Sequence, residues 1–229
     1  VGYDIKQYEN YDSSGLTSRY ETRAASVGLS GNSIDAAGNT HTYGITWVRG
    51  TVDLSNAPAT YATNIQNGPN TAGRYERLAL NLSRQQPLTT DTAMWLSYAA
   101  QVANRNLDSS EKLYLEGPTG VRAYGVGEGY GSEGELATLE FRQRLTASTV
   151  LSEFYDWGRA RLTHDHAAAN NTTTLSGYGI SLSQDVGSGT TIKGTWARSH
   201  GNNTPLPTNP NGSDNVDRNR FWLSMETRF

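Results

Sequence analysis

The sequence predicts an all-β chain, an antiparallel transmembrane β-barrel of about ten strands, with residues 1–229 as one barrel domain. Three observations predict it. Apolar and polar residues alternate with period two, the alternating stretches are long, and the gaps between them alternate long and short. Composition narrows the field first. The chain carries 19 Lys plus Arg against 22 Asp plus Glu, a formal net charge of −3, which is not the basic surplus of a nucleic-acid binder. Hydrophobic residues make up 35% and mean hydropathy is −0.61. No run approaches the roughly 20 apolar residues of a spanning helix. Barrel strands tolerate such hydropathy because every second residue faces a wet interior. An aromatic content of 10% is high for a disordered chain, and the count of 0 Cys removes disulfides, thiolate metal sites and thiol nucleophiles together. Val1-Gly2-Tyr3-Asp4 has neither the basic start nor the apolar core of a signal peptide, and the absence of an initiator Met leads one to expect a mature or excised piece.

The elements follow in chain order. Strands are expected near 2–9, 19–31, 40–54, 73–86, 92–106, 133–145, 149–163, 172–185, 190–200 and 218–229. In the second, Ala25, Val27 and Leu29 oppose Ser26, Gly28 and Ser30. In the fourth, Leu78, Leu80 and Leu82 oppose Arg77, Ala79, Asn81 and Ser83. In the fifth, Met94, Leu96, Tyr98, Ala100 and Val102 oppose Trp95, Ser97, Ala99, Gln101 and Ala103. In the last, Phe221, Leu223 and Met225 oppose Arg220, Trp222, Ser224 and Glu226. A helix would mix these sets. Several stretches exceed the roughly 5–6 residues of an average soluble strand and match the roughly 9–11 of a tilted membrane strand.

Long gaps at 55–72, 107–132, 164–171 and 201–217 alternate with short ones at 87–91, 146–148 and 186–189, while 10–18 and 32–39 are intermediate. Outer-membrane barrels alternate short periplasmic turns with longer outer loops, which puts both chain ends in the periplasm. The polar face carries Arg77, Glu140, Arg142, Arg144, Lys193, Glu226 and Arg228, read as lumen residues, and the aliphatic and aromatic face meets lipid. Glu153 and Arg49 break this pattern, standing on the nominal lipid face. Because lipid cannot satisfy open strand edges, 2–9 is expected to pair with 218–229 and close a small barrel.

Little catalytic chemistry is visible. His164-Asp165-His166 reads as a solvated loop rather than half a metal site, and Gly125-Val126-Gly127-Glu128-Gly129 lacks the flanking strand and helix of a nucleotide-binding turn. No HExxH, G-x-S-x-G or paired catalytic carboxylates occur, so neither an enzyme nor a cofactor or metal is expected. The segment 107–132 is different. A loop of that length is functional or disordered, and its Val121-Arg122-Ala123-Tyr124 between glycines is not a solvating composition. It reads as a segment that docks, with an Arg wanting a carboxylate.

These residues carry a resemblance. Leu-Asp-Ser-Ser-Glu-Lys, then Gly-Pro-Thr-Gly-Val-Arg-Ala-Tyr, then Phe154-Tyr155-Asp156-Trp157-Gly158, and a terminal Phe229 are similar to the TpsB transporters of two-partner secretion, the haemolysin and filamentous-haemagglutinin secretion-activation proteins. The resemblance implies a sixteen-stranded barrel preceded by periplasmic POTRA domains, of which this chain offers the last ten strands and no POTRA domain. It implies that loop 107–132 folds into the lumen with Val121, Arg122, Ala123 and Tyr124 at its tip. Arg122 would then pair with Asp156, with Phe154 and Gly158 on the same strand face. Ala123 stands where the family usually has Gly. The pair is expected to contribute roughly 1–3 kcal/mol, less than a fully buried one, because a lumen holds water. Phe229 is implied as the signal read by the barrel-insertion machinery. The implied function is secretion of a TpsA-type partner protein across the bacterial outer membrane, with outer-membrane lipid or lipopolysaccharide around the barrel. The alternatives are a small outer-membrane barrel with a structural or passive pore role, and a soluble all-β binding module.

Overall fold

The computed structural model describes residues 1–165, 171–201, 203, 206 and 219–228. Ten long strands form one antiparallel sheet: β1 (Gly2–Asp12), β2 (Gly15–Ile34), β3 (Thr40–Asp53), β4 (Gly73–Pro87), β5 (Thr92–Ala103), β8 (Glu133–Arg144), β9 (Thr149–Arg161), β10 (Thr172–Gly187), β11 (Thr190–Ser199) and β12 (Asn219–Thr227). Two short strands, β6 (Leu113–Tyr114) and β7 (Tyr130–Gly131), pair with each other inside the β5–β8 connection. Each long strand is hydrogen-bonded to its neighbours in chain order.

The side-chain alternation matches the sequence reading. Trp47 lies opposite Val27 and Leu78, Leu139 opposite Leu96 and Tyr155, and Ile180 opposite Trp196. These residues share the outward, lipid-type face, and most of them are exposed. Thr22, Thr138, Glu140, Ser152, Asp156, Ser181 and Thr195 point to the other face and are buried. That inner face is concave, because Arg122 in the β5–β8 connection touches both Asp156 on β9 and Trp222 on β12. Glu111 in the same connection likewise reaches Lys6 on β1 and Arg77 on β4.

Two of the expected connections change. Residues 10–18 are not an intermediate loop. β1 and β2 run on to a tight turn at Ser13-Ser14, with Gly15 at φ 119°. The polar tips of these strands hid it, since neither face there carries an apolar row. The gap 55–72 contains a helix, α1 (Ala59–Asn67), whose Tyr61 stacks on Tyr20 at 5.9 Å over the inner face. The long connections all leave one rim, and the turns 35–39, 88–91, 145–148 and 188–189 leave the other.

Closure by β1 against β12 is not among the pairings. Among the described residues β1 pairs with β2 and β12 with β11. Register does not slip at Glu153, which sits outward between Phe141 and Ile180 near the β8–β9 turn. Arg49 is also outward, at the long-loop rim, 3.6 Å from Glu76.

Candidate functional site: an inward loop locked to the wall

The connection between β5 and β8 enters the concave face and is held at its base and at its tip. At the base, Asp108 caps a 3₁₀ turn (Ser109–Glu111), its Oδ1 accepting from the Ser110 amide at 3.0 Å. Glu111 is buried and accepts from Arg77 Nε at 2.8 Å, with Lys6 Nζ 3.6 Å away. Gln101 Nε2 donates to the Glu111 and Ser132 carbonyls at 3.0 and 3.1 Å, and Ser132 Oγ accepts from the Leu107 amide at 3.0 Å. Both ends of the connection are thus tied to β5. Burial among these groups holds the Lys112 ammonium below the usual lysine range, and its Nζ lies 4.9 Å over the Tyr130 ring.

Beyond β6 the chain doubles back. The Val121 amide donates to the Leu115 carbonyl at 2.6 Å and the Tyr124 amide to the Val121 carbonyl at 3.1 Å. Gly120 sits directly against the Leu115 carbonyl, where a Cβ would collide with it. Leu115, Val121, Ala123 and Tyr124 are fully buried against Phe154, Ala160, Leu175 and Ala197 of the wall. Burial pushes the Tyr124 phenol up to about 12. The wall makes room with glycine: a Cβ on Gly158 would lie 3.1 Å from Leu115, and one on Gly177 would lie 2.5 Å from the Ala123 Cβ. The methyl group of Ala123 therefore fills space that Gly177 leaves, and Ala123 is not at a positive φ.

Arg122 is the lock. Its Nε and Nη2 bind the two oxygens of Asp156, each at 2.9 Å, and its Nη1 binds Glu140 at 2.8 Å. Its backbone amide donates to Asp156 Oδ2 at 3.1 Å, and Thr138 Oγ1 donates to Asp156 Oδ1 at 2.9 Å. The guanidinium lies 3.3 Å over the Phe154 ring. A planar fork satisfies such a two-pronged arrangement, which a Lys ammonium cannot. Glu140 is shared with Arg142 at 2.7 Å. The Arg122 carbonyl accepts from Trp222 Nε1 at 2.7 Å, and Glu128 binds Arg220 at 2.9 Å, so the loop also grips β12.

The sequence-derived residues therefore converge. Val121, Arg122, Ala123 and Tyr124 form the tip, Phe154 and Asp156 receive the arginine, and Gly158 admits Leu115. One expectation is corrected: the pair is not hydrated. The side chains of Arg122, Asp156 and Glu140 are 7%, 1% and 4% exposed, because the loop's apolar residues exclude water around them. Glu140 and Trp222 were legible only as inward-facing residues, since register alone brings Glu140 beside Phe154 and Thr138 beside Asp156. Phe229 and His166 lie outside the described residues. His164 is 3.0 Å from Glu133, and among the described residues no cluster of three or more His, Asp or Glu could hold a metal.

No protein-family model matches the chain. It is 32% identical over 154 residues to the heme/hemopexin transporter protein HuxB of Haemophilus influenzae strain 86-028NP, covering 65% of this chain and 26% of that protein. The HuxB of H. influenzae strain Rd gives 32% over 156 residues, again 26% of its length. The match thus spans about a quarter of these relatives. Among solved structures, CdiB from Escherichia coli superposes with a TM-score of 0.73 at 18% identity, covering 96% of this chain and 39% of CdiB. That likeness shows the fold. The likeness in sequence to HuxB and in fold to CdiB bears out the resemblance to TpsB transporters that the motifs carry.

Proposed function

We propose that the chain is part of an outer-membrane pore through which an unfolded partner protein is secreted, with loop 107–132 as the element that occupies the lumen and is shifted during export. The observation that supports this reading most is the buried Arg122–Asp156–Glu140 lock, which places a 29-residue connection inside the wall rather than outside it. A structural or passive barrel has no need of a plug fastened by one arginine on two carboxylates. On this reading the protein is a translocator and not an enzyme, the cargo is a TpsA-type exoprotein, and residues 1–229 form one barrel domain completed by further strands. The long-loop rim faces the outside and both chain ends face the periplasm. Insertion machinery reads the last strand, and lipid surrounds the outward face.

The test is secretion. Cells carrying the full-length protein and its partner should release the partner into the medium, and Arg122→Ala should reduce release while leaving the amount of barrel in the outer membrane unchanged. Unchanged release, together with unaltered pore conductance in planar bilayers, would favour the passive-barrel reading.

A further inference from the structure

Arginine is distributed unevenly over the outward face. Arg23, Arg49 and Arg74 are exposed on it at the long-loop rim, and Arg159, Arg161 and Arg198 continue the row. Among the described strand residues, Arg84 is the one outward arginine on the opposite, short-turn half. A random scatter of solvated charges would not favour one rim so strongly.

The first three form a group. Thr51 on β3 is paired with Arg23 on β2 and with Arg74 on β4, so two arginines flank it across two strand spacings, about 10 Å. Arg49 lies one outward position below, paired with Ala25 and Glu76. Together with Tyr3, Asp53 and Thr51 they line a concavity of about 510 Å³. Directly beneath come Val27, Trp47 and Leu78, the start of the apolar band. The group thus sits where lipid acyl chains give way to headgroups, a depth at which arginine on a lipid face costs only about 0–1 kcal/mol. Arg23 is held by Glu21 and Arg49 lies 3.6 Å from Glu76, while Arg74 has no ion-pair partner among the described residues. One guanidinium is therefore free and two are oriented, over an apolar floor.

We propose that Arg23, Arg49 and Arg74 form a binding site for the phosphorylated headgroup of lipopolysaccharide in the outer leaflet. Arginine forks match phosphate oxygens two at a time. The interleaved Asp53, Glu21 and Glu76 keep the group near neutral, so recognition depends on the fixed placement of the forks more than on net field. The apolar row beneath takes the first acyl chains. The site rests on the proposal that the long-loop rim faces outward.

The experiment uses the membrane-embedded full-length protein. Lipopolysaccharide retained per protein after mild detergent extraction is measured by native mass spectrometry for wild type, Arg49→Gln/Arg74→Gln and Arg84→Gln. Retention should fall at least tenfold in the double variant and stay unchanged in Arg84→Gln. Lipopolysaccharide with dephosphorylated lipid A should bind wild type as weakly as the double variant, and millimolar inorganic phosphate should not displace the intact lipid. Equal retention in the double variant, an equal loss in Arg84→Gln, indifference to the lipid A phosphates or displacement by free phosphate would each overturn the site. A cysteine placed at Ser14 and labelled by an impermeant reagent on intact cells checks the topology separately. Labelling only after permeabilisation would overturn the topology and the site together. Loss of the site alone leaves the secretion reading standing.

Discussion

Replacing Arg122 by Ala removes three charge-assisted bonds, two to Asp156 and one to Glu140. Each such bond contributes roughly 1.5–3 kcal/mol, but the losses do not add. Asp156 keeps the Thr138 hydroxyl, and Glu140 keeps Arg142. The cost should be that of breaking a buried pair, about 3–5 kcal/mol, because two carboxylates remain in a dry site. It falls on loop docking, since the β8–β9 ladder is made by backbone groups that Arg122 does not touch. About 4 kcal/mol corresponds to roughly a thousandfold rise in the undocked fraction at 1.4 kcal/mol per tenfold. Amide hydrogen exchange reads this directly: the Leu115 and Val121 amides, bonded within the loop, should exchange about a thousandfold faster while Leu139 on β8 is unchanged. Arg122→Lys should lose most of the same protection, since a point charge cannot bind both oxygens of Asp156 and also Glu140. Retained protection at Val121 in Arg122→Ala, or parallel loss along β8 and β9, would refute the reasoning.

Four other outcomes follow from the same geometry. Gly177→Ala should undock the tip by about 1–3 kcal/mol through its collision with Ala123, and adding Ala123→Gly should restore part of the loss, the rest remaining because the Arg198 carbonyl is 2.9 Å from the new Cβ; exchange at Val121 measures both. Trp222→Phe should cost about 1 kcal/mol through its lost bond to the Arg122 carbonyl and show as faster exchange in β12. Glu111→Gln leaves Arg77 without its carboxylate, and should loosen Leu107 while leaving Val121 protected, because the base and tip anchors share no partner. The 35–39 turn should lose order on acidification. The Asn39 side chain, then its backbone amide, donate to Asp35 and hold that carboxyl well below its ordinary 3.8. A depressed carboxyl contributes order above its unfolded value and loses it as pH falls through the folded one. The loss therefore develops below 3.8, and Asp35→Asn should abolish the pH dependence in NMR spectra of the Asn39 side-chain amide.

Much of the wall was legible in the sequence by itself. Period two in Leu78-Ala79-Leu80-Asn81-Leu82 determined which residues face out, because successive strand side chains point to opposite sides whatever the neighbours are. Gap length determined the two rims. The arginine of 107–132 and the aspartate of 149–163 identified each other by charge and by motif. Tertiary structure decided what local pattern does not encode. The α1 helix was hidden in a loop composition, flanked by Pro58 and Gly68, and its place over Tyr20 depends on the strands beneath. Glu140, Trp222 and the Glu111–Arg77 anchor come from strands and loops far apart in sequence, so only register and curvature bring them to one loop. Dryness was decided there too: Leu115, Val121 and Tyr124 seal the arginine from water only once folded against the glycines of the wall. Whether the sheet closes is likewise beyond an alternating pattern, because period two is the same at an edge strand as at an interior one; the pairing of β1 with β2 and of β12 with β11 is a property of the assembled sheet.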